Sequence, residues 1–218
     1  MGKGMNHLLQ VMRASAAMLL LSSALCAKEI QLQTENEVFE TASWLYQDVK
    51  RDKMGAIDAY KNFIARFPRS PKVADAYFLI GEGHLNRALE TMKQDPAYAK
   101  DSASAKLPAG AIKNLKEAEE AYAKAVKKAW DDGIRCSATY RLGESAYNQR
   151  DWPSAQTYFK AIGNNWPKCY LAPESLMGLA YSHMAMSQYA KTSETLMRLT
   201  QSVPQYLLDP SINFIQGI

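Results

Sequence analysis

The residues of this chain that could do chemistry are few and scattered. Past the first 27 positions there are two histidines, His84 and His183, and neither has a Cys or carboxylate at metal-ligand spacing in its own segment. Packing or a surface position is the simpler reading of each. There is no glycine-rich phosphate cradle, no Gly-x-Ser-x-Gly, and no Cys/His pair with an orienting partner. The run from Lys116 to Lys128 (KEAEEAYAKAVKK) has the i, i+4 charge spacing of a solvated helix face. These features predict a protein that is not an enzyme and uses no metal or cofactor. Two of the three cysteines, Cys136 and Cys169, form a candidate disulfide, taken up below with the elements that carry them.

Composition narrows the partners. Apolar residues make up 47% and charged residues 22% of the 218, the balance of a chain with a packed core. The formal charge is +4, but Lys3 and Arg13 lie in a segment expected to be removed, and the remaining charges alternate in sign. That pattern argues against a nucleic-acid footprint. Residues 1–27 read as a secretory signal. Lys3, His7 and Arg13 precede an apolar run from Ala14 to Leu25 that is too short to span a bilayer, and small residues follow. Cleavage is expected after Ala27 or Cys26, which would leave an exported chain without a transmembrane segment. Cys26 leaves a lipid anchor open as the second reading, although Leu25 is large for the position before a lipidated Cys.

The positioning elements are helices. No useful stretch has β-period alternation. The clearest unit runs from Cys136 to Cys169: CSATYRLGESAYNQRDWPSAQTYFKAIGNNWPKC. It reads as a helix through Leu142-Gly143 and Ala146-Tyr147, a turn at Gln149–Trp152, and a second helix through Ala155 and Tyr158-Phe159 that stops at Pro167. Gly143 and Ala155 are expected to face each other at the crossing, with Tyr147, Trp152 and Phe159 filling the wedge. A second copy follows 37 residues later, where Ala180, Tyr189, Leu196, Leu199 and Pro204 answer Gly143, Trp152, Phe159, Ile162 and Pro167. An earlier copy ends at Pro68 and carries Ala56, Tyr60 and Phe63. Its first helix, around Phe39 to Tyr46, fits the pattern poorly and suits a cap. Between them, Ala76, Ile80, Gly81 and His84 open a further copy whose second helix carries Ile112, Leu115, Ala118, Tyr122, Ala125, Val126 and Ala129 at i, i+3, i+4 spacing. The stretch at about 94–109 reads as an insertion loop, either functional or disordered. Pro210 to Ile218 matches the start of another first helix, with Gly217 at the crossing position. This ending implies a longer array, or a larger protein such as an enzyme, truncated at residue 218.

The 34-residue unit resembles the tetratricopeptide repeat. That resemblance implies an all-α superhelical solenoid over 28–218, of about four helix pairs plus a truncated fifth, that binds a protein or peptide. The run AIDAYKNFIARFPRSPKVADAYFLIGE, with its Phe67-Pro68-Arg69-Ser70 turn, further resembles repeats of bacterial envelope proteins of the BamD and YbgF (CpoB) type. This implies a scaffold that is periplasmic or outer-membrane-associated, with a role in outer-membrane assembly or maintenance.

In such an array the first helices line the concave face, and the register of Gly81, Gly143 and Ala180 selects its residues. The candidate peptide groove comprises Phe78, Glu82 and Asn86; Tyr140, Glu144 and Asn148; and Met177 and Tyr181. Asp75, Leu85, Ser137, Tyr147, Glu174 and Met184 lie beside them. Aromatic anchors with carboxylates favour a basic or neutral ligand, and aromatics such as Tyr140 and Tyr181 could equally stack on sugars. Tyr147 and Leu85 suit packing between repeats. Cys136 and Cys169 are expected at the starts of successive first helices, on the order of 10 Å apart. A disulfide tolerates only ~7 Å, and a half-turn offset would close that gap.

Overall fold

The computed structural model describes residues 34–47, 53–102, 104–208 and 212. The leader at 1–27 with Cys26, and all of 210–218 except Ile212, lie outside the described residues, and with them the truncated fifth repeat. The first helix, α1, covers residues 34–47. It is followed by α2 (Lys53–Arg66), α3 (Val73–Gln94), the short α4 (Pro96–Lys100), α5 (Ala109–Lys128), α6 (Asp132–Asn148), α7 (Trp152–Asn165), α8 (Ala172–Ala185), α9 (Tyr189–Ser202) and a single 3₁₀ turn, Pro204–Leu208. Among the described residues there is no strand. From α2 onward each longer helix packs on the next longer one, α3 meeting α5 past the short α4, and α6 also touches α3 and α8. The fold is therefore an all-α solenoid of helix pairs, α1/α2, α3/α5, α6/α7 and α8/α9, with the first helices side by side.

Local signals set the boundaries. Asp131 and Asp151 cap α6 and α7, accepting from the backbone N–H of Ile134 at 3.0 Å and Ser154 at 3.2 Å. Proline opens α4, α7 and α8 where its missing N–H costs nothing. The first helices of the last two pairs end in Schellman turns, 37 residues apart. Arg150 (φ 63°) and Ser187 (φ 57°) take the left-handed position, and Asp151 and Gln188 donate back to the carbonyls of Ala146 and His183, both at 2.9 Å.

The hairpins close on a small-residue/large-residue pairing, with Phe159 the side chain nearest Gly143. A Cβ on Gly143 would lie 2.6 Å from the Phe159 ring, and a Cβ on Gly178 would lie equally close to the same ring. Phe159 thus occupies a slot made by glycines of two successive first helices, while Ala155 packs with Ala146 and Leu179. Gly81 plays the same part for the fully buried Tyr122, and Ala180 packs with Leu196 and Leu199. In the first pair Ala42 is fully buried against Tyr60 and Phe63, so α1 packs as a repeat helix does.

The helices on either side of the insertion at 94–109 are extended, and the short α4 lies within it. The second hairpin is longer than the others, α3 having 22 residues and α5 having 20. Its added turns bury Leu85, Ala88, Met92, Ala111 and Leu115. The connection itself contains α4 and sends Tyr98 and Leu107 onto that core. Arg150, at its left-handed position, donates to the carbonyls of Ser102 at 2.7 Å and Ala105 at 2.8 Å. The connection is therefore tied to the α6–α7 turn of the next hairpin.

Cys136 and Cys169 are bonded, with Cα atoms 6.6 Å apart, inside the range a disulfide tolerates. They do not occupy equivalent positions. Cys136 lies within α6 and is fully buried, whereas Cys169 lies in the turn before α8. This offset brings within reach two positions that a strict repeat would hold apart.

Candidate functional site

The first helices α6 and α8, with the 3₁₀ turn at one side, enclose a cleft of about 350 Å³. Helix α6 contributes Tyr140, Glu144, Tyr147 and Asn148, one helical face at i, i+4, i+7, i+8. Helix α8 contributes Glu174, Met177, Gly178 and Tyr181 by the same periodicity, and Phe159 and Tyr206 complete the walls. Phe159 forms the floor because two glycines admit its ring from either side. Tyr140 packs against that ring at 5.6 Å between centroids, and Tyr147 meets Trp152 edge-on at 4.7 Å. The aromatic walls are thus fixed from behind by packing, the condition for a preorganised binding surface.

A charged ladder continues this face toward α3. Arg141 binds Glu82 through two parallel bonds, Nε to Oε1 at 2.7 Å and Nη2 to Oε2 at 3.0 Å, and reaches Glu144 through Nη1 at 2.5 Å. The Tyr122 hydroxyl donates to Glu82 at 2.6 Å. One guanidinium therefore joins carboxylates of two successive repeats. Burial opposes the guanidinium's charge, but Glu82 and Glu144 outweigh it and raise its pKa. Burial also raises the Tyr122 and Tyr140 hydroxyls above the usual phenol range, with Glu82 and Glu144 respectively adding to the shift. Both remain neutral donors. On α3, Asn86 donates to the Tyr46 hydroxyl at 3.3 Å, which brings the first pair into the same surface.

The structure gathers Tyr140, Glu144, Asn148, Met177 and Tyr181 around one cleft, and places Phe78, Glu82 and Asn86 outside it. Phe78 packs its ring 5.6 Å from Tyr122, Glu82 is held by Arg141 and Tyr122, and Asn86 is paired with Tyr46. Of the flanking residues, Leu85 belongs to the core, whereas Tyr147 and Glu174 line the cleft. Sequence reasoning passes over Arg141, Gly178 and Tyr206. An arginine one residue after a groove tyrosine looks like an ordinary polar position, and only the packing of α6 on α3 reveals its two carboxylates.

His84 gains a carboxylate from another helix. Its Nδ1 lies 3.0 Å from Glu117 Oε2 and 3.3 Å from Asn114 Oδ1, both on α5. Burial lowers its pKa, while Asn114 and Glu117 pull the other way. Burial prevails, with the charges of Lys61 and Arg87 lowering it further. His183 bonds Gln188 at 2.8 Å. Among the described residues no group of His, Cys, Asp and Glu is arranged to hold a metal ion. No described helix is long and apolar enough to cross a membrane.

The geometry defines a class, the helix-pair solenoids, whose first helices form one continuous face. Compared with known families, residues 137–168 match the tetratricopeptide repeat, and these residues span most of α6 and all of α7. A repeat of this family points to protein partners. No curated protein matches the chain.

Proposed function

We propose that the chain is a non-catalytic scaffold of the bacterial cell envelope that holds a protein segment on the concave face formed by its first helices. The observation that carries the reading is the α6–α8 cleft. Its aromatic walls are braced from behind, and it lies within and beside the matched repeat. Aromatic side chains of this kind anchor partners at low entropic cost. The envelope part of the reading rests on the signal-like leader, the bonded Cys136–Cys169 pair, which suits an oxidising compartment, and the Phe67-Pro68-Arg69-Ser70 turn. A role in outer-membrane assembly or maintenance is what the resemblance of the residue 56–82 run to BamD- and YbgF-type repeats implies.

The test is crosslinking and affinity recovery from an envelope fraction, with Tyr140→Ala/Tyr181→Ala as the control. Recovery of one defined protein by the native chain but not by the variant supports the groove. Equal recovery by both places binding elsewhere on the molecule and refutes this assignment.

A further inference from the structure

Glu174 stands in the first turn of α8 and lines the cleft. Its Oε1 accepts from the Tyr206 hydroxyl at 3.4 Å, but its Oε2 is buried without any donor. A carboxylate oxygen withdrawn from water and left unpaired is costly and is rarely kept in a native core. The other carboxylate on the cleft, Glu144, is already satisfied by Arg141. Among the described residues no lysine or arginine lines the cleft, and the guanidinium that reaches Glu144, that of Arg141, is already engaged by Glu82 and Glu144. Tyr140, Tyr147 and Tyr181 line the same cleft as Glu174, and aromatic rings attract a cation through their quadrupoles.

The geometry points to Glu174 as the acceptor of a cationic side chain, an arginine or lysine of the bound protein segment, seated among the three tyrosines. This assignment rests on the groove reading above and names the group that the groove selects. The bound cation supplies the donor that Oε2 lacks, and its aliphatic stem lies along Met177 and the aromatic walls. A hydroxyl or amide donor would satisfy the oxygen as well, but it would gain nothing from the ring faces and would leave the carboxylate charge uncompensated. Charge complementarity therefore decides for the cation. Tyr206, on the 3₁₀ turn beside the cleft, bonds the other oxygen of Glu174.

The experiment uses a random 12-residue peptide library selected on the purified chain. Enriched sequences are then synthesised with each arginine replaced by citrulline, or each lysine by acetyl-lysine. Affinities are measured for the native protein, for the isosteric Glu174→Gln, and for Tyr140→Ala/Tyr181→Ala. A charge-assisted bond predicts that the enriched peptides carry a basic residue, and that Glu174→Gln or neutralising that residue weakens binding about 10- to 100-fold. The two changes together should weaken it little further. Helical circular dichroism of Glu174→Gln should match the native protein. Peptides that lose binding to the tyrosine double variant but bind Glu174→Gln unchanged overturn the cation assignment and leave the groove intact. Peptides indifferent to the tyrosine double variant, or no enrichment at all, overturn the groove and the cation site with it.

Discussion

Removing the Cys136–Cys169 bridge should destabilise the last two helix pairs by an amount set mainly by chain entropy. The perturbation is Cys136→Ala/Cys169→Ala, with alanine chosen because Cys136 is fully buried and a serine hydroxyl there would lack a partner. The bond joins residues 33 apart, and closing a loop of that size lowers unfolded-state entropy enough to stabilise the fold by about 3.7 kcal/mol. A small cavity at Cys136 adds to the loss. For a chain of this size that corresponds to a fall of about 7–15 °C in the melting midpoint. Because repeats contact only their neighbours, the loss should fall on α6–α9 more than on α1–α3. The assay is thermal and urea denaturation followed by circular dichroism, on the oxidised protein, the reduced protein and the variant. Hydrogen exchange then locates the change. Reduced protein and variant should melt together, well below the oxidised form. Equal midpoints for all three, or alkylation of both Cys136 and Cys169 in protein recovered from an oxidising compartment, would refute the reasoning.

Four further outcomes follow from the packing and the ladder. Gly143→Ala or Gly178→Ala pushes a methyl into the Phe159 ring and should destabilise by about 1–3 kcal/mol in urea denaturation, with loss of groove binding because that ring is the cleft floor. Arg141→Met strands Glu82, whose side chain is only 14% exposed. With the guanidinium a third exposed, the expected loss is about 1–3 kcal/mol, much of it recovered when Glu82→Gln is added. His84 is held neutral by burial, its folded pKa below the unfolded value near 6.5. Stability is therefore full above about pH 6.5 and falls as the pH drops from there toward the folded pKa, a slope that His84→Gln should flatten in melting curves. Ser187→Gly relieves a left-handed residue and should raise stability by about 1 kcal/mol, read as a higher urea midpoint.

The fold was readable because it rests on local periodicity. The i, i+3, i+4 stripes, the prolines after α2, α7 and α9, and the 37-residue recurrence from Phe159 to Leu196 all follow from helix geometry. The helices flanking the insertion run longer than their partners elsewhere, and their outer turns, Leu85 to Met92 and Ala111 to Leu115, continue the helical stripes while Pro96 and Pro108 mark the connection between them. Gly178 was hidden because its purpose lies in the previous repeat, where it makes half of the Phe159 slot. The cleft was partly legible. Tyr140, Glu144, Asn148, Met177 and Tyr181 fall on one face by register alone. The fate of Glu82 depends on Arg141, and that of Glu174 on Tyr206, 32 residues away, which bonds one carboxylate oxygen while the other stays buried without a donor. Neither contact has a period.

The central claim is that partners bind on the first-helix face. The most direct measurement replaces Tyr181, in the cleft, with a photoreactive phenylalanine, and does the same separately at Met197, which is 57% exposed on α9. After irradiation in the intact cell envelope, an adduct to a defined protein from position 181 and none from position 197 is the predicted result. Adducts from position 197 alone, or the same adduct in equal yield from both, would contradict it.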